Sequence, residues 1–255
     1  MPAIANRPRG GELEGSPVLK IRPVRVVFFD AAETLFRTRG SVGNIYLSLA
    51  RKYGSKASAN QLDGAFFDVF KKQPPPVLPA GTSSDVKLQI EKAWWRDVVH
   101  QVFSSAGMMK DFDAYFEEVY DVFKGSQGWE LFPESLDVLS RLKEKGYRTG
   151  LITNFDTRVL DVLRALGIDR YLDSKTLSSE AGAAKPDPAI FKKAVESLGV
   201  LPSEAVHVGD SMSDDVRGAL SSGLQAVLLD RHRLFKPSKN FVTIESLTEL
   251  LDYLE

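Results

Sequence analysis

Hydrophobic residues change their rhythm twice along this chain, and each change marks an element boundary. Met1 to Pro23 shows neither a period of 2 nor one of 3.6 and is rich in Gly, Pro, Arg and Glu, which predicts a poorly ordered leader over 1–22. Val24 to Phe29 is a continuous apolar run with β-branched residues, the pattern of a strand buried on both faces in a parallel sheet, and Asp30 ends it. From Val42 to about Lys124 the spacing turns helical. Ile45, Leu49 and Tyr53 share one face. Phe66, Phe67 and Phe70 mark a second segment, Ile90, Trp94, Val98 and Val102 a third, and Phe112, Phe116, Val119 and Phe123 a fourth. Gln73 to Pro76 and Pro79 to Ser84 cannot continue a helix and predict a loop between two helical hairpins.

Beyond Trp129 helix and strand alternate. Helices are expected over 133–145, 157–166, 188–198 and 214–222, each followed by a glycine (Gly146, Gly167, Gly199, Gly223), and strands over 147–153, 174–178, 205–208 and 225–229. Such alternation implies a parallel sheet wrapped by helices. The expected fold is therefore α/β, a Rossmann-like doubly wound parallel sheet core built from 23–38 and 127–255, with an all-helical domain inserted at 39–126.

Composition narrows the function classes. The chain has 255 residues and 43% hydrophobic content, enough to bury the core of one α/β domain carrying an insertion. A formal net charge of −1 points to neither nucleic acid nor an anionic membrane as partner. The absence of cysteine removes disulfides, thiolate catalysis and Cys-ligated metals, and fits a reducing cytoplasm. No apolar run reaches the roughly 18 residues a membrane helix requires, and no signal-peptide core is seen, so a cytoplasmic, soluble protein is expected.

Candidate chemistry sits where the predicted strands end. Asp30 in VVFFDAAETLF, Thr153 and Asn154 in GLITNFD, Lys185 in GAAKPDPAIF, and Asp210, Asp214 and Asp215 in HVGDSMSDD provide a nucleophilic carboxylate, an oxyanion-binding hydroxyl, a cation and acids for a divalent metal. Sites in open α/β sheets form just beyond the carboxyl ends of strands, so these distant segments can converge. Singly, each has a plainer reading as a helix cap or structural hydroxyl. Their conjunction in this order supports displacement at phosphorus or carbon.

The motifs DAAETL followed by SVGNIYLSLARKYG, WWRDVV, TNFDTR, KPDPAIF and HVGDSMSDDVRGA resemble the haloacid dehalogenase superfamily of hydrolases, in the branch with a helical cap inserted after the first motif. Within it, the chain looks most like a group named after a rhythmically expressed insect protein. The resemblance implies that Asp30 attacks to form an aspartyl intermediate, that Thr153 and Asn154 bind the transferring group with Lys185, and that Asp30, Asp210, Asp215 and the Ala32 carbonyl hold Mg²⁺. Asp214 or Asp215 would act on the metal's waters or position Lys185; Asp215 is preferred, leaving Asp214 as the helix-start acid. The implied partner is a small phosphorylated metabolite.

Ala32 departs from that pattern. Phosphatases of the superfamily carry there an Asp that protonates the leaving oxygen, a role worth about 10²–10⁴ in rate. A slow, Mg²⁺-dependent phosphatase favouring good leaving groups is expected; Glu33 could substitute as the acid, but its side chain follows a different direction from position 32, and a surface or hinge residue is its plainer reading. The alternatives are a non-catalytic metabolite- or protein-binding homologue, and a hydrolase of carbon–halogen or carbon–phosphorus bonds, the last needing a Schiff-base lysine such as Lys52 or Lys56. His207 reads as a buried, hydrogen-bonded residue, and neither His100 nor His232 falls where the family places catalysis. Arg231, Arg233 and Lys236 read as a solvated loop. The aromatic residues of the insert read chiefly as its own core, with Trp95, one position off the Trp94 stripe, as the better surface candidate. Hinges are expected at Arg37 to Gly43 and Lys124 to Trp129.

Overall fold

Strand β1 (Val26–Phe29) lies at the centre of a six-stranded parallel sheet, every side chain buried, as its unbroken apolar run requires. The computed structural model describes residues 20–79 and 81–254. Most of the expected leader lies outside them. Its last residues do not behave as a free tail: Ile21 is buried in the core, and the Arg22 amide donates to Gln225 Oε1 at 2.7 Å.

Along the chain, β1 is followed by β2 (Phe36–Thr38), then the helices α1 (Val42–Ala50), α2 (Ala59–Phe70), α3 (Ser84–Ala106) and α4 (Phe112–Val122). The chain returns through β3 (Trp129–Leu131), α5 (Ser135–Glu144), β4 (Arg148–Thr153), α6 (Arg158–Ala165), β5 (Ser174–Leu177), α7 (Ser178–Ala181) and α8 (Pro188–Ser197). It ends with β6 (Ala205–Gly209), a π-helical turn (Met212–Arg217), α9 (Gly218–Ser221), β7 (Gln225–Leu229), β8 (Val242–Ile244) and α10 (Leu250–Tyr253). The sheet order is β5-β4-β1-β6-β7-β8, all neighbours parallel. The strand sequence reverses direction at β1 and β6, so the crevice beyond their carboxyl ends is the topological switch point where ligands bind in such sheets.

Alternation along β1 divides the core. Val27 and Phe29 pack on one face with Leu139, Leu142 and Val162, while Val26 and Phe28 pack on the other with Ile190, Phe191 and Val216. The inserted helices have their own core, including Tyr46, Leu62, Val102, Phe103, Tyr115 and Phe116. Within it the expected α3 stripe holds at Val98 and Val102, both fully buried, but its first turns differ: Ile90 and, on α2, Phe67 are exposed, whereas Glu91 is fully buried. The cause is tertiary. Glu91 faces the start of α6, accepting from the Thr157 amide at 3.1 Å and from the Thr157 hydroxyl.

The two crossings between sheet and helical domain pair with each other as an antiparallel ribbon, β2 with β3, closed by Arg37 and Glu130 at 3.0 Å. This narrows the expected hinges. Gly43 belongs to α1, and a side chain there would strike the Ala59 carbonyl and the Asp63 carboxyl; Gly128 is similarly crowded by the Val122 carbonyl. Both are close-packing positions. Gly40, with φ of 73° and open space around it, retains the freedom a hinge requires.

Candidate active site

Four segments meet at the switch point. Asp30 follows β1, its amide held by the Val208 carbonyl of β6 at 2.9 Å, and its carboxylate is nearly buried. Thr153, also buried, ends β4, and Asp210 follows β6. Lys185 arrives from the loop before α8 and is placed by Asn154: the Lys185 amide donates to Asn154 Oδ1 at 2.7 Å, and Asn154 Nδ2 donates to the Lys185 carbonyl at 2.9 Å. The Asn154 side chain, expected to bind the transferring group, is committed instead to the lysine's backbone.

Lys185 Nζ donates to Asp30 Oδ1 and to Asp215 Oδ1, each at 2.6 Å. His207 Nε2 lies 2.8 Å from the same Asp215 oxygen, and the Ser211 amide donates to the other at 3.0 Å. Asp215 reaches this position because the chain takes a π-helical turn after Ser211 where an ordinary helix was expected. Its carboxyl lies against Gly209, where an added Cβ would stand 2.1 Å from the Asp215 Cγ, so glycine is required there. Asp214 lies at the cavity rim, its amide capped by Ser211 Oγ at 3.1 Å.

Asp30, Asp210 and Asp215 offer carboxylate oxygens within 4.8 Å of one another. Burial pushes the Asp30 carboxyl up, against the pull of Lys185. Burial would also raise Asp215, but Lys185 and His207 outweigh it and hold Asp215 well below the usual range. Lys185, despite burial, is held above its ordinary value by Asp215 and Asp30. Asp210 is pushed up to about 7 by burial and by the charges of Asp30 and Asp215. No cation among the described residues pairs with the Asp210 carboxylate, so three acids face one lysine. This arrangement suits a hard divalent cation with oxygen ligands.

A cavity of about 690 Å³ runs from this cluster into the helical domain. Asp30, Ala32, Thr153, Asn154, Lys185 and Asp210 line it from the sheet, and Tyr46, Phe66, Phe70, Trp94 and Trp95 from the inserted helices. Part of the aromatic density expected to be bundle core thus faces the cavity. Trp95 Nε1 donates to Asp156, whose carboxylate holds Arg158 in two bonds of 2.8 and 2.7 Å. This buried ion pair was not singled out from sequence, although both residues lie within TNFDTR.

Other expected candidates stand apart. Lys52 pairs with Glu118, Lys56 is exposed, and neither lines the cavity. Arg231 is no solvated loop residue: it donates to the Thr34 carbonyl at 2.9 Å, pairs with Glu134 at 2.7 Å and lies over Phe132, clamping the turn after Asp30. Arg233 pairs with Glu245. His207 is buried and hydrogen-bonded, as its place in β6 implied.

A family profile described as haloacid dehalogenase-like hydrolase matches residues 24–223. The chain belongs to that family. It is 33% identical over 211 residues to haloacid dehalogenase-like hydrolase domain-containing protein 3 of Danio rerio, covering 82% of this chain and 86% of that one. It is 27% identical over 215 residues to the rhythmically expressed gene 2 protein of Drosophila melanogaster, covering 80% and 82%, in keeping with the expected group. Among solved structures, a phosphatase from Thermococcus onnurineus superposes with a TM-score of 0.63 at 25% identity, covering 90% of this chain and 97% of that one. A 2-haloacid dehalogenase from Pseudomonas syringae does so with 0.62 at 26%, with the same coverage. Haloacid dehalogenase-like hydrolases of both chemistries therefore share this fold.

Proposed function

We propose that this hydrolase is a Mg²⁺-dependent phosphatase that acts through an aspartyl phosphate on Asp30 and takes a small phosphorylated metabolite. The observation that carries the reading is the bridge of Lys185 between Asp30 and Asp215 beside an unneutralised Asp210. A lysine so placed fixes the Asp30 carboxylate and meets a phosphoryl group as it arrives.

An Asp30 oxygen forms a bond to phosphorus as the bond from phosphorus to the leaving oxygen breaks, the electron pair departing with that oxygen. Water then cleaves the aspartyl phosphate, releasing inorganic phosphate and regenerating the carboxylate. The Thr153 hydroxyl and the Asn154 backbone amide are the groups available for the phosphoryl oxygens, since the Asn154 side chain is engaged. Asp30, Asp210 and the Ala32 carbonyl would hold Mg²⁺, with Asp215 completing the negative field; the ion supplies neutralisation of phosphoryl charge. Asp215 already accepts from Lys185, His207 and Ser211, which suits it to positioning the lysine.

Ala32 favours a second reading, carbon–halogen displacement, which needs no proton donor for its leaving group. The surplus of carboxylates over cations weighs against it, because a metal-free site gains nothing from an acid such as Asp210. The test is hydrolysis of acetyl phosphate and p-nitrophenyl phosphate with Mg²⁺ or with EDTA, by the wild type and Asp30→Asn. Metal-dependent phosphate release that Asp30→Asn loses by at least about 10³-fold is expected. No release from either substrate by the wild type would sink the phosphatase reading.

A further inference from the structure

We infer, on the basis of the phosphatase reading, that the leaving group is a flat aromatic ring: the substrate class is the monoaryl phosphates. Two independent features meet in this class. The first is the aromatic part of the cavity lining. Phe66 and Phe70 stack at 5.1 Å and 18°, and Phe70 and Trp95 at 5.8 Å and 20°, so the three rings form one stack in the cavity lining, Phe70 partly covered by its neighbours. Arg158 extends it, its guanidinium 4.6 Å from the Trp95 ring centroid and 4.4 Å from that of Tyr120.

The charge of Arg158 is already met by Asp156, so it adds planar surface to the stack and no net charge. A sugar or polyol there would lose its hydration to rings that offer no hydrogen bonds, whereas an aromatic ring gains edge-to-face or offset contacts. The volume is also more than a phosphoryl group needs: about 690 Å³ lies in the range of pockets that enclose ligands with several ring atoms.

The second feature is Ala32, which lines the cavity beside Asp30 and brings no proton to the leaving oxygen. A phenol ionises near pH 10, as tyrosine does, while an aliphatic hydroxyl resembles water at about 15.7. An aryl oxygen therefore departs as phenolate with its electron pair, Asp30 takes the phosphoryl group, and water later releases phosphate and returns the carboxylate. The site lacks only what this leaving group does not require.

The experiment compares 2-naphthyl, methyl and acetyl phosphates with the full chain, Phe70→Ala and Asp30→Asn. Phe70 is 41% exposed, so its truncation spares the bundle core. Calorimetry on Asp30→Asn with Mg²⁺ should show 2-naphthyl phosphate binding at least about tenfold more tightly than methyl phosphate. Phe70→Ala should raise KM for 2-naphthyl phosphate about 3- to 15-fold more than KM for acetyl phosphate. Equal binding of naphthyl and methyl phosphates, or equal KM changes, overturns the aromatic assignment even if acetyl phosphate is hydrolysed. Tight naphthyl binding with no turnover of any phosphate leaves aromatic recognition standing and removes the hydrolytic reading instead.

Discussion

Position 32 sets the chemistry at the residue scale. Asp30, Lys185, Asp210 and Asp215 form a connected ionic site, yet the side chain two residues after Asp30 is a methyl group. Ala32→Asp should raise the hydrolysis of an alkyl phosphate such as methyl phosphate by about 10²-fold or more, and of acetyl phosphate far less, because only the former must protonate its leaving oxygen. Steady-state rates on the two substrates check this; a folded variant with no gain on either would mean that no proton is delivered from that position. Glu33 does not fill the gap simply. Partial burial pushes its carboxyl up against the pull of Arg231, Arg37 and His232, but its backbone is left-handed, with φ of 61°, and the residue is exposed. Asp30, Thr153 and Asp210 were legible because each directly ends a hydrophobic strand, a purely local signal. The commitments of Asn154 to Lys185 and of Arg231 to the turn after Asp30 were not, since each bond joins segments 31 or more residues apart.

Elements, in turn, were legible in kind and less so in phase. The strand over 225–229 matches β7 at both ends because its apolar run is bounded by Gly223 and by Asp230. Helix α3 keeps the expected phase at Val98 and Val102 and departs from it at Ile90 and Glu91, since no rule of periodicity anticipates a glutamate facing inward. Glu91 nevertheless stabilises the seam: it satisfies the amide and hydroxyl of Thr157 at the start of α6, while Trp95 one turn later bonds Asp156. Glu91→Ala should lower stability by about 2–3 kcal/mol, the cost of leaving a buried donor without its charged acceptor, and Glu91→Gln by less. Urea unfolding of both variants measures it; equal midpoints for Glu91→Ala and wild type would show that the contact contributes nothing. The helix expected over 214–222 begins instead as a π-helical turn at Met212–Arg217, which periodicity does not signal and which goes with the contacts of Asp215 to Gly209 and Lys185.

For the whole molecule, β–α alternation made the parallel sheet legible, but not the order β5-β4-β1-β6-β7-β8 that brings Asp30 and Asp210 side by side, nor the β2–β3 ribbon joining the two domains. Among the described residues no helix is long and apolar enough to cross a membrane. The site's surplus negative charge couples folding, metal and pH. The Asp210 carboxyl moves from an ordinary 3.8 to about 7, so between these values the metal-free folded state holds a proton that the unfolded chain has released. Its contribution to stability is thus full at low pH and lost as pH rises toward about 7. Mg²⁺ must displace that proton, so the stabilisation it confers should grow from about pH 5 to about pH 7 and then level, as thermal melts with and without Mg²⁺ would record. A pH-independent increment would mean that Asp210 does not meet the ion. The central claim is that Asp30 becomes phosphorylated, and the most direct measurement is acid-quenched mass spectrometry of the protein after brief mixing with acetyl phosphate and Mg²⁺. A phosphoryl adduct on the peptide carrying Asp30, absent from Asp30→Asn and from the EDTA control, is the result predicted; phosphate release that persists in Asp30→Asn, or an adduct on another residue, would contradict it.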